Sequence, residues 1–221
     1  MNLRNLTKYI LFKDTTFKGE FRAMQRLAGP DCPRIIVDVG AHNGFYGSNS
    51  FPFIARGWRA ILIEPHPGTF EKLQKLHAGK RKVTCLNLAC AETTGQRPLY
   101  FGINNPGGSH ATLCTDDTPR FRQVRSENYH LVTVERLDEV LAKQGVPFEF
   151  GILSVDAECM DYEVLLGLDL KQWRPKVIIT EDYEPKDKLK VEYLTKHGYR
   201  HAGQCTANAL WVKGERMKDE V

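Results

Sequence analysis

The apolar positions of the chain fall into short runs that alternate with helical patterns. After residue 34, runs rich in Ile, Val and Leu occupy 35–39, 59–63, 83–89, 150–155 and 176–180. Each run is short and nearly unbroken, which is typical of a strand buried on both faces of a parallel sheet. Segments with apolar residues three and four positions apart follow most of these runs, as expected for helices. The alternation predicts strand–helix units with right-handed crossovers, and therefore a doubly wound, mostly parallel sheet.

The C-terminal part of the chain departs from this alternation. Residues 199–204 and 209–212 form two extended runs around a tight connection, which predicts an antiparallel hairpin. Together with the five runs above, the hairpin gives a seven-stranded sheet in an α/β fold.

The N-terminal 30 residues precede the first core strand. Apolar residues recur at helical spacing over 3–10 and 17–27, which predicts two short amphipathic helices. The sequence GPDCP then interrupts the pattern. We expect an N-terminal helical cap over 1–30, one core domain over 31–214 and a frayed, charged tail over 215–221. The cap either packs against the sheet or forms a lid over a ligand, and its apolar residues would also suit a homodimer contact.

The middle of the chain is less regular. Residues 96–103 alternate weakly between apolar and polar, and 129–134 form a short extended run. Between them, residues 104–120 are rich in Gly, Pro, Asn, Ser and Thr, which is typical of a loop. Long loops inside compact domains are often functional, and the polar candidates in this one are Ser109, His110 and Thr112.

The first core strand ends in a glycine turn, VDVGAHNG at 37–44. Gly40 and Gly44 carry no Cβ, and we expect a helix over 45–57, so that backbone can approach a ligand closely. The dinucleotide fingerprint GxGxxG would need glycine where the chain has His42. Asp38 at the mouth of the turn would repel a pyrophosphate and attract a cationic ligand.

Polar side chains also stand at the ends of the other predicted strands. Glu64 follows the second strand about 20 residues past the turn, where an acidic residue binds ribose hydroxyls. A ribose with a cationic group and no phosphate describes S-adenosylmethionine (SAM). The strand-end residues expected at one common edge are Asp38, Glu64, Asn87, Asp156 and Glu181. Ligands of doubly wound sheets bind at that edge, so these residues predict a binding site. The simpler alternative is that they are ordinary polar residues at strand ends, in loops that bind no ligand.

Composition narrows the class of protein. The chain has 221 residues, of which 42% are apolar and 26% charged, as expected for one α/β domain. A net charge of +4 from scattered Lys and Arg does not indicate a nucleic-acid partner. No apolar run reaches the ~18 residues of a membrane helix, and the N-terminus lacks the uninterrupted apolar core of a signal peptide. The six cysteines show no CxxC spacing, and we interpret them as reduced thiols of a cytoplasmic protein.

Four segments together resemble one protein family. They are VDVGAHNG at 37–44, IEP at 63–65, NLA at 87–89 and VDAECMDYEVLL at 155–166, and they are similar to motifs of the FkbM family of SAM-dependent methyltransferases. The resemblance extends over residues 34–212. It departs from the family at Cys159, where Gly is usual, at Asp161, where Glu is common, and at His42-Asn43, where Asn-Val is commoner.

The resemblance implies a Rossmann-like class I methyltransferase fold and methyl transfer to a hydroxyl of a small molecule, sugar or glycan. It implies SAM contacts at Asp38, Gly40, Ala41, His42, Asn43, Gly44, Glu64, Asn87 and Ala89. Asp38 and the turn backbone would hold the methionyl end, Glu64 would accept both ribose hydroxyls, and Asn87 would bind adenine. Asp156 is the first candidate for the base or for a residue that orients the acceptor, and Glu158 is the second.

Three alternatives stay open at this point. In a metal-assisted variant, Asp156, Glu181 and Asp182 would hold Mg²⁺, which polarises the acceptor oxygen. The second alternative is a nicotinamide-dependent oxidoreductase. His42 in the glycine turn and the C-terminal hairpin both argue against it. The third is a non-catalytic subunit with the SAM-binding fold, which would act with a partner protein.

Overall fold

The computed structural model of the chain describes residues 14–101, 110–115, 128–182, 187–205 and 207–214. Its elements follow in the order α1 (Glu20–Ala28), β1 (Ile35–Val39), α2 (Phe51–Ile54), β2 (Arg59–Ile63), α3 (Pro67–His77), β3 (Val83–Leu86), β4 (Ala89–Cys90), β5 (Gly95–Tyr100), β6 (Tyr129–Glu135), α4 (Leu137–Lys143), β7 (Glu149–Val155), α5 (Asp161–Leu166), β8 (Arg174–Glu181), α6 (Asp187–Lys196), β9 (Tyr199–Cys205) and β10 (Asn208–Lys213). All six cysteines carry free thiols. Among the described residues, every helix is too short or too polar to span a lipid bilayer.

Seven strands form the main sheet in the order β3-β2-β1-β7-β8-β10-β9. The strands from β3 to β8 in this order are parallel to their neighbours, whereas β10 runs antiparallel to both β8 and β9. This confirms the doubly wound α/β sheet and the C-terminal hairpin. The strand order reverses between β1 and β7, which is the point where such sheets bind ligands at their carboxyl ends.

Two apolar layers cover the main sheet, because its central strands carry apolar side chains on both faces. Val37 and Leu153 face a layer that includes α4 and α5, whereas Ile36 and Ile152 face the layer that includes α1. All four side chains are fully buried. Burial on both faces explains why these strands are nearly unbroken apolar runs instead of alternating ones.

Helix α1 packs on β7, β8 and β10. Phe21, Met24 and Ala28 are buried on it, in the same layer as Ile36. The helix begins after Gly19, so Phe17 lies before it although the apolar pattern included Phe17 in the helix. The other predicted helix, over 3–10, and the predicted tail lie outside the described residues. The domain boundary at residue 30 therefore stays a prediction.

A separate three-stranded sheet, β4-β6-β5, was not predicted from the sequence. The strand expected over 83–89 is divided: β3 ends at Leu86, and Ala89 and Cys90 pair with β6 instead of continuing in the main sheet. β5 pairs with β6 in antiparallel fashion. The buried side of this sheet packs on Cys159 and Met160, next to the carboxyl end of β7.

The helix predicted over 45–57 is wrong for most of its length, because only Phe51–Ile54 is helical. The side-chain oxygen of Asn43 accepts the backbone N–H groups of Phe45 and Tyr46 at 3.0 and 3.1 Å, which fixes a turn. The helix begins only where Pro52 can occupy its first turn. The glycine turn therefore leads into further turns and not into a helix N-terminus.

Candidate active site

A cavity of about 380 Å³ lies at the carboxyl ends of the parallel strands. Of the site residues predicted from the sequence, its lining includes Asp38, Gly40, Ala41, His42, Glu64, Ala89, Asp156, Glu158 and Glu181. Four others are not part of the lining, namely Asn43, Gly44, Asn87 and Asp182. A cavity of this volume suits a small-molecule ligand.

Gly40 makes the closest backbone contact of the site. Its φ is 83°, and a Cβ at this position would lie 1.8 Å from the carbonyl oxygen of Asp156. The N–H groups of Gly40 and Ala41 both donate to the Ile63 carbonyl, at 2.9 and 3.0 Å, and the N–H of Asp156 donates to the Val39 carbonyl at 3.0 Å. The glycine turn is therefore held between the ends of β2 and β7, where only glycine fits.

Glu64 is buried directly after β2, and backbone N–H groups donate to both of its carboxylate oxygens. The N–H of His42 lies 2.9 Å from Oε2, and the N–H of His66 lies 2.8 Å from Oε1. Burial raises the pKa of Glu64 to about 7, although these two hydrogen bonds oppose the shift. Each carboxylate oxygen keeps further lone-pair capacity, so Glu64 can still accept hydrogen bonds from ligand hydroxyls.

Asp38 is buried near the end of β1 among hydroxyl groups. Its carboxylate accepts hydrogen bonds from Ser50 and from the Ser154 hydroxyl, but burial outweighs them and raises the pKa of Asp38. The Asn49 side-chain amide donates to the Ser154 hydroxyl at 3.2 Å. Sequence analysis missed these partners. The available signal was the polar Ser-Asn-Ser stretch at 48–50, which a buried helix face would not carry.

Asp156 and Glu181 stand side by side at the carboxyl ends of the neighbouring strands β7 and β8. Val155 on β7 is in register with Thr180 on β8, so the next residue on each strand reaches the same edge. Burial raises the pKa of Asp156, and the negative charges of Glu181 and Glu158 raise it further. Its Oδ1 atom is buried without a hydrogen-bond partner among the described residues. Such an atom would be stabilised by a ligand that donates a hydrogen bond.

Glu158 lies in the loop between β7 and α5. The helix begins at Asp161, and Glu158 and Cys159 have positive φ values of 50° and 71°. His110 Nδ1 lies 3.1 Å from Glu158 Oε1, and the Thr112 hydroxyl donates to the Glu158 carbonyl at 2.6 Å. A helix dipole therefore does not account for Glu158, whose loop is strained at two consecutive residues.

Asp161 connects the two acidic strand ends, a role that sequence analysis missed. Its Oδ1 accepts the N–H of Ala157 at 2.8 Å, and its Oδ2 accepts the N–H of Glu181 at 2.9 Å. The buried Lys190 ammonium donates to the Glu181 carbonyl from the other side. A buried acid in the first turn of a helix has the same local sequence as an exposed one, so the sequence carried no signal for this role.

The three residues considered as magnesium ligands do not form a metal-binding group within the part of the chain that the structure describes. No three His, Cys, Asp or Glu side chains there are arranged to hold a metal ion. Asp182, the third predicted ligand, instead accepts a hydrogen bond at 2.8 Å from the side-chain amide of Gln204 on β9.

Comparison with models of known protein families shows to which family the chain belongs. Residues 38–201 match the model of the methyltransferase FkbM domain. The chain belongs to the FkbM methyltransferase family. The family supports SAM-dependent methyl transfer, and the match confirms the resemblance seen in the strand-end motifs.

Two solved structures are similar to this chain. A crystal structure of methyltransferase FkbM from Methylobacillus flagellatus KT is similar with 17% identity and a TM-score of 0.50, over 81% of this chain and 43% of that one. The precorrin-6y C5,15-methyltransferase of Geobacter metallireducens GS-15 has 14% identity and a TM-score of 0.46, over 87% of this chain and 85% of that one. This chain therefore spans less than half of the FkbM structure. No protein of curated function matches its sequence.

One departure from the FkbM pattern gives a prediction about stability. Cys159→Gly is expected to change the free energy of unfolding by less than about 1 kcal/mol, because relief of the positive φ offsets the lost thiol and the entropy of glycine. Cys159→Val is expected to cost about 2 kcal/mol or more, since a β-branched residue resists positive φ. Urea unfolding measures both, with Cys85→Val on the extended strand β3 as control. Equal losses in the two valine variants would contradict strain at Cys159.

Proposed function

We propose that the chain is a SAM-dependent O-methyltransferase that methylates a hydroxyl of a small molecule, sugar or glycan. One observation carries this proposal: carboxylates from four parallel strand ends line a single cavity around a glycine turn, namely Asp38, Glu64, Asp156 and Glu181. No Lys or Arg lines that cavity among the described residues. Such surroundings favour a cationic nucleoside over a pyrophosphate.

The nucleoside end of SAM is assigned to Glu64 and to apolar side chains beside it. Those side chains are Ala89, Cys90, Leu99 and Leu113, which suit the faces of a purine. Glu64 would accept the ribose hydroxyls. The assignment of adenine to Asn87 is changed, because its amide already donates to the carbonyls of Glu64 and Pro65 at 2.9 and 3.0 Å. Asn87 instead positions Glu64.

The methionyl end is assigned to Asp38 and to the backbone of 40–44. SAM, when bound, supplies an electrophilic methyl group on a positively charged sulfur. Asn43 and Gly44 act here through the shape of the turn, since Asn43 fixes the following residues and a Cβ on Gly44 would lie 2.5 Å from Leu73. Asp38 contributes negative charge beside the turn, which stabilises a cation nearby.

The acceptor is assigned to the opposite end of the cavity, near Asp156 and Glu181. Glu64 lies directly after β2 and Glu181 lies at the end of β8, so three strand spacings, or roughly 14 Å, separate them and leave room for both ligands. In its ionised form Asp156 would take the proton of the acceptor hydroxyl. Glu158, which is engaged by His110, is the second candidate.

The rival functions have less support from the geometry. A nicotinamide dinucleotide would need a helix N-terminus at the glycine turn for its pyrophosphate, and α2 begins only at Phe51 and has four residues. A non-catalytic subunit would have no use for the buried Oδ1 of Asp156, which no described residue satisfies. We therefore favour catalysis.

Mass spectrometry of candidate acceptors incubated with SAM tests the O-methyl assignment. The expected product gains the mass of one methylene group, and its fragment ions assign the methyl to an oxygen. Methylation on nitrogen or carbon would contradict the proposal, and so would SAM binding without transfer to any hydroxyl.

Cofactor affinity should depend on pH through Glu64. The ribose hydroxyls donate to the ionised carboxylate, and the pKa of Glu64 is about 7. Below that pH the protonated carboxyl is a poorer acceptor, so affinity for S-adenosylhomocysteine is expected to rise about tenfold from pH 6 to pH 8. Isothermal titration calorimetry across this range measures the change.

Two variants test whether Glu64 causes this dependence. Glu64→Gln is expected to weaken binding by roughly 1.5–3 kcal/mol and to remove the dependence on pH. Glu71→Gln on the exposed face of α3 is the control and should keep both the affinity and its pH dependence. An equally steep pH dependence in Glu64→Gln would contradict the assignment.

A further inference from the structure

The cavity has an aromatic wall at its mouth, formed by Phe17 and Tyr46. Both residues line the cavity, and their rings meet edge to face with 5.2 Å between centroids. Phe17 is 49% exposed and Tyr46 is 54% exposed. Large aromatic side chains that stay this accessible beside a cavity offer apolar contact area to a ligand.

Contacts within the wall fix its shape. Gly47 has a φ of 71°, and a Cβ there would lie 2.4 Å from the Phe17 ring, so the ring packs directly on glycine backbone. The Thr15 hydroxyl donates to the Ser48 carbonyl at 3.0 Å, which ties the N-terminal segment to the turn after the glycine motif. The packing of Phe17 on Gly47 and the hydrogen bond from Thr15 to Ser48 therefore hold the N-terminal segment against the turn that carries Tyr46.

The wall belongs to the acceptor end of the cavity. Phe17 lies three residues before the start of α1, and α1 packs on β7, β8 and β10, on the opposite side of β1 from Glu64. Asn208 on β10 is in register with Glu181 and also lines the cavity. The apolar rings, the amide of Asn208 and the carboxylates of Asp156 and Glu181 therefore face one volume.

The wall is partly built from residues outside the family domain. The FkbM match covers residues 38–201, so Phe17 lies before it and Tyr46 lies within it. Membership of the family therefore does not account for Phe17, and its contribution to the cavity is a property of this chain.

We propose that Phe17 and Tyr46 form an acceptor subsite, which binds an uncharged ring and rejects anionic acceptors. The inference rests on the proposed methyltransferase function. The apolar face of the ring would pack on the aromatic wall while its hydroxyl donates to Asp156 or Glu181. A phosphate or carboxylate on the acceptor would meet these acids, and no Lys or Arg of the described lining compensates them.

Ligand-detected NMR on the protein loaded with S-adenosylhomocysteine tests the subsite with two phenyl compounds of different charge. Saturation transfer should be strong for uncharged phenyl β-D-glucopyranoside and weak for phenyl phosphate. Phe17→Ala and Tyr46→Ala are each expected to weaken glucoside binding about threefold to tenfold, the range for loss of one aromatic contact. Tyr46→Phe keeps the ring and should retain binding.

Controls separate a failure of the subsite from a failure of the proposed function. Tyr129→Ala removes a tyrosine that is 55% exposed on β6 and does not line the cavity, so it should leave the signals of both probes unchanged. Calorimetry with S-adenosylhomocysteine is performed first on every variant. If the wild-type protein does not bind S-adenosylhomocysteine, the proposed function itself is contradicted. If cofactor affinity is intact, three results would each overturn the subsite alone. These are no binding of the glucoside, equal binding of the glucoside and phenyl phosphate, and unchanged glucoside binding in both alanine variants.

Discussion

Gly40→Ala is expected to lower the free energy of unfolding by about 3 kcal/mol and to abolish the binding of S-adenosylhomocysteine. The new Cβ would lie 1.8 Å from the carbonyl oxygen of Asp156. Both groups are backbone, so no side-chain rotation relieves the contact, and β1 and β7 must separate at the cavity. Urea unfolding and calorimetry measure the two effects.

Gly57→Ala is the matched control for this substitution. Gly57 also has a positive φ, 79°, but a Cβ there would meet nothing within 4 Å. Its replacement therefore measures the cost of the backbone conformation alone, about 1 kcal/mol, with cofactor affinity retained. Similar losses in the two variants would contradict a close contact between the glycine turn and Asp156.

Asp156→Asn is expected to leave affinity for S-adenosylhomocysteine nearly unchanged and to lower turnover by roughly 10²–10⁴-fold. Asparagine keeps the shape of the side chain but cannot accept the proton of the acceptor hydroxyl. Asp31→Asn, an exposed residue before β1 at the opposite edge of the sheet, should have no effect on either quantity. Steady-state kinetics with the acceptor found by mass spectrometry measures the loss, and unchanged turnover would reject the assigned role.

The pH dependence of turnover gives a second measure of the same role. Burial and the nearby charge of Glu181 raise the pKa of Asp156, and a base acts in its ionised form. Turnover should therefore rise with pH over a range above that of an ordinary aspartate. In Asp156→Asn this rise should be absent from the residual activity. A rise that persists unchanged would indicate that another group is the base.

The parallel core of this fold was predictable because its signal is local. The run at 35–39 is apolar at nearly every position, and burial on both faces of a sheet demands that pattern. The short strand Ala89–Cys90 has no such local signal. Its two residues are a strand only because they pair with β6, which lies more than 40 positions further along the chain. Pairing of this kind depends on tertiary context and not on local propensity.

Four of the predicted site residues lie together because their positions follow from the topology of the sheet. Parallel strands end at one edge, so Asp38, Glu64, Asp156 and Glu181 meet in one cavity. The prediction failed where a side chain is engaged by nearby backbone. Asn43 fixes a turn that replaces the expected helix, because an Asn side chain competes with helical hydrogen bonding.

Other features of the site depend on contacts between distant parts of the chain. The carboxylate of Asp161 reaches the backbone of Glu181, twenty residues further on. Phe17 reaches the cavity by packing on Gly47. The periodicity of the sequence places these residues on or near helices, but it does not specify which loop each of them contacts.

Isothermal titration calorimetry with S-adenosylhomocysteine and NAD⁺, run on the same sample, tests the central claim most directly. The acidic cavity around Gly40 should bind the sulfur nucleoside and give no heat with the dinucleotide, and Glu64→Gln should weaken the first without creating affinity for the second. Binding of NAD⁺ in the absence of any affinity for S-adenosylhomocysteine would contradict the account.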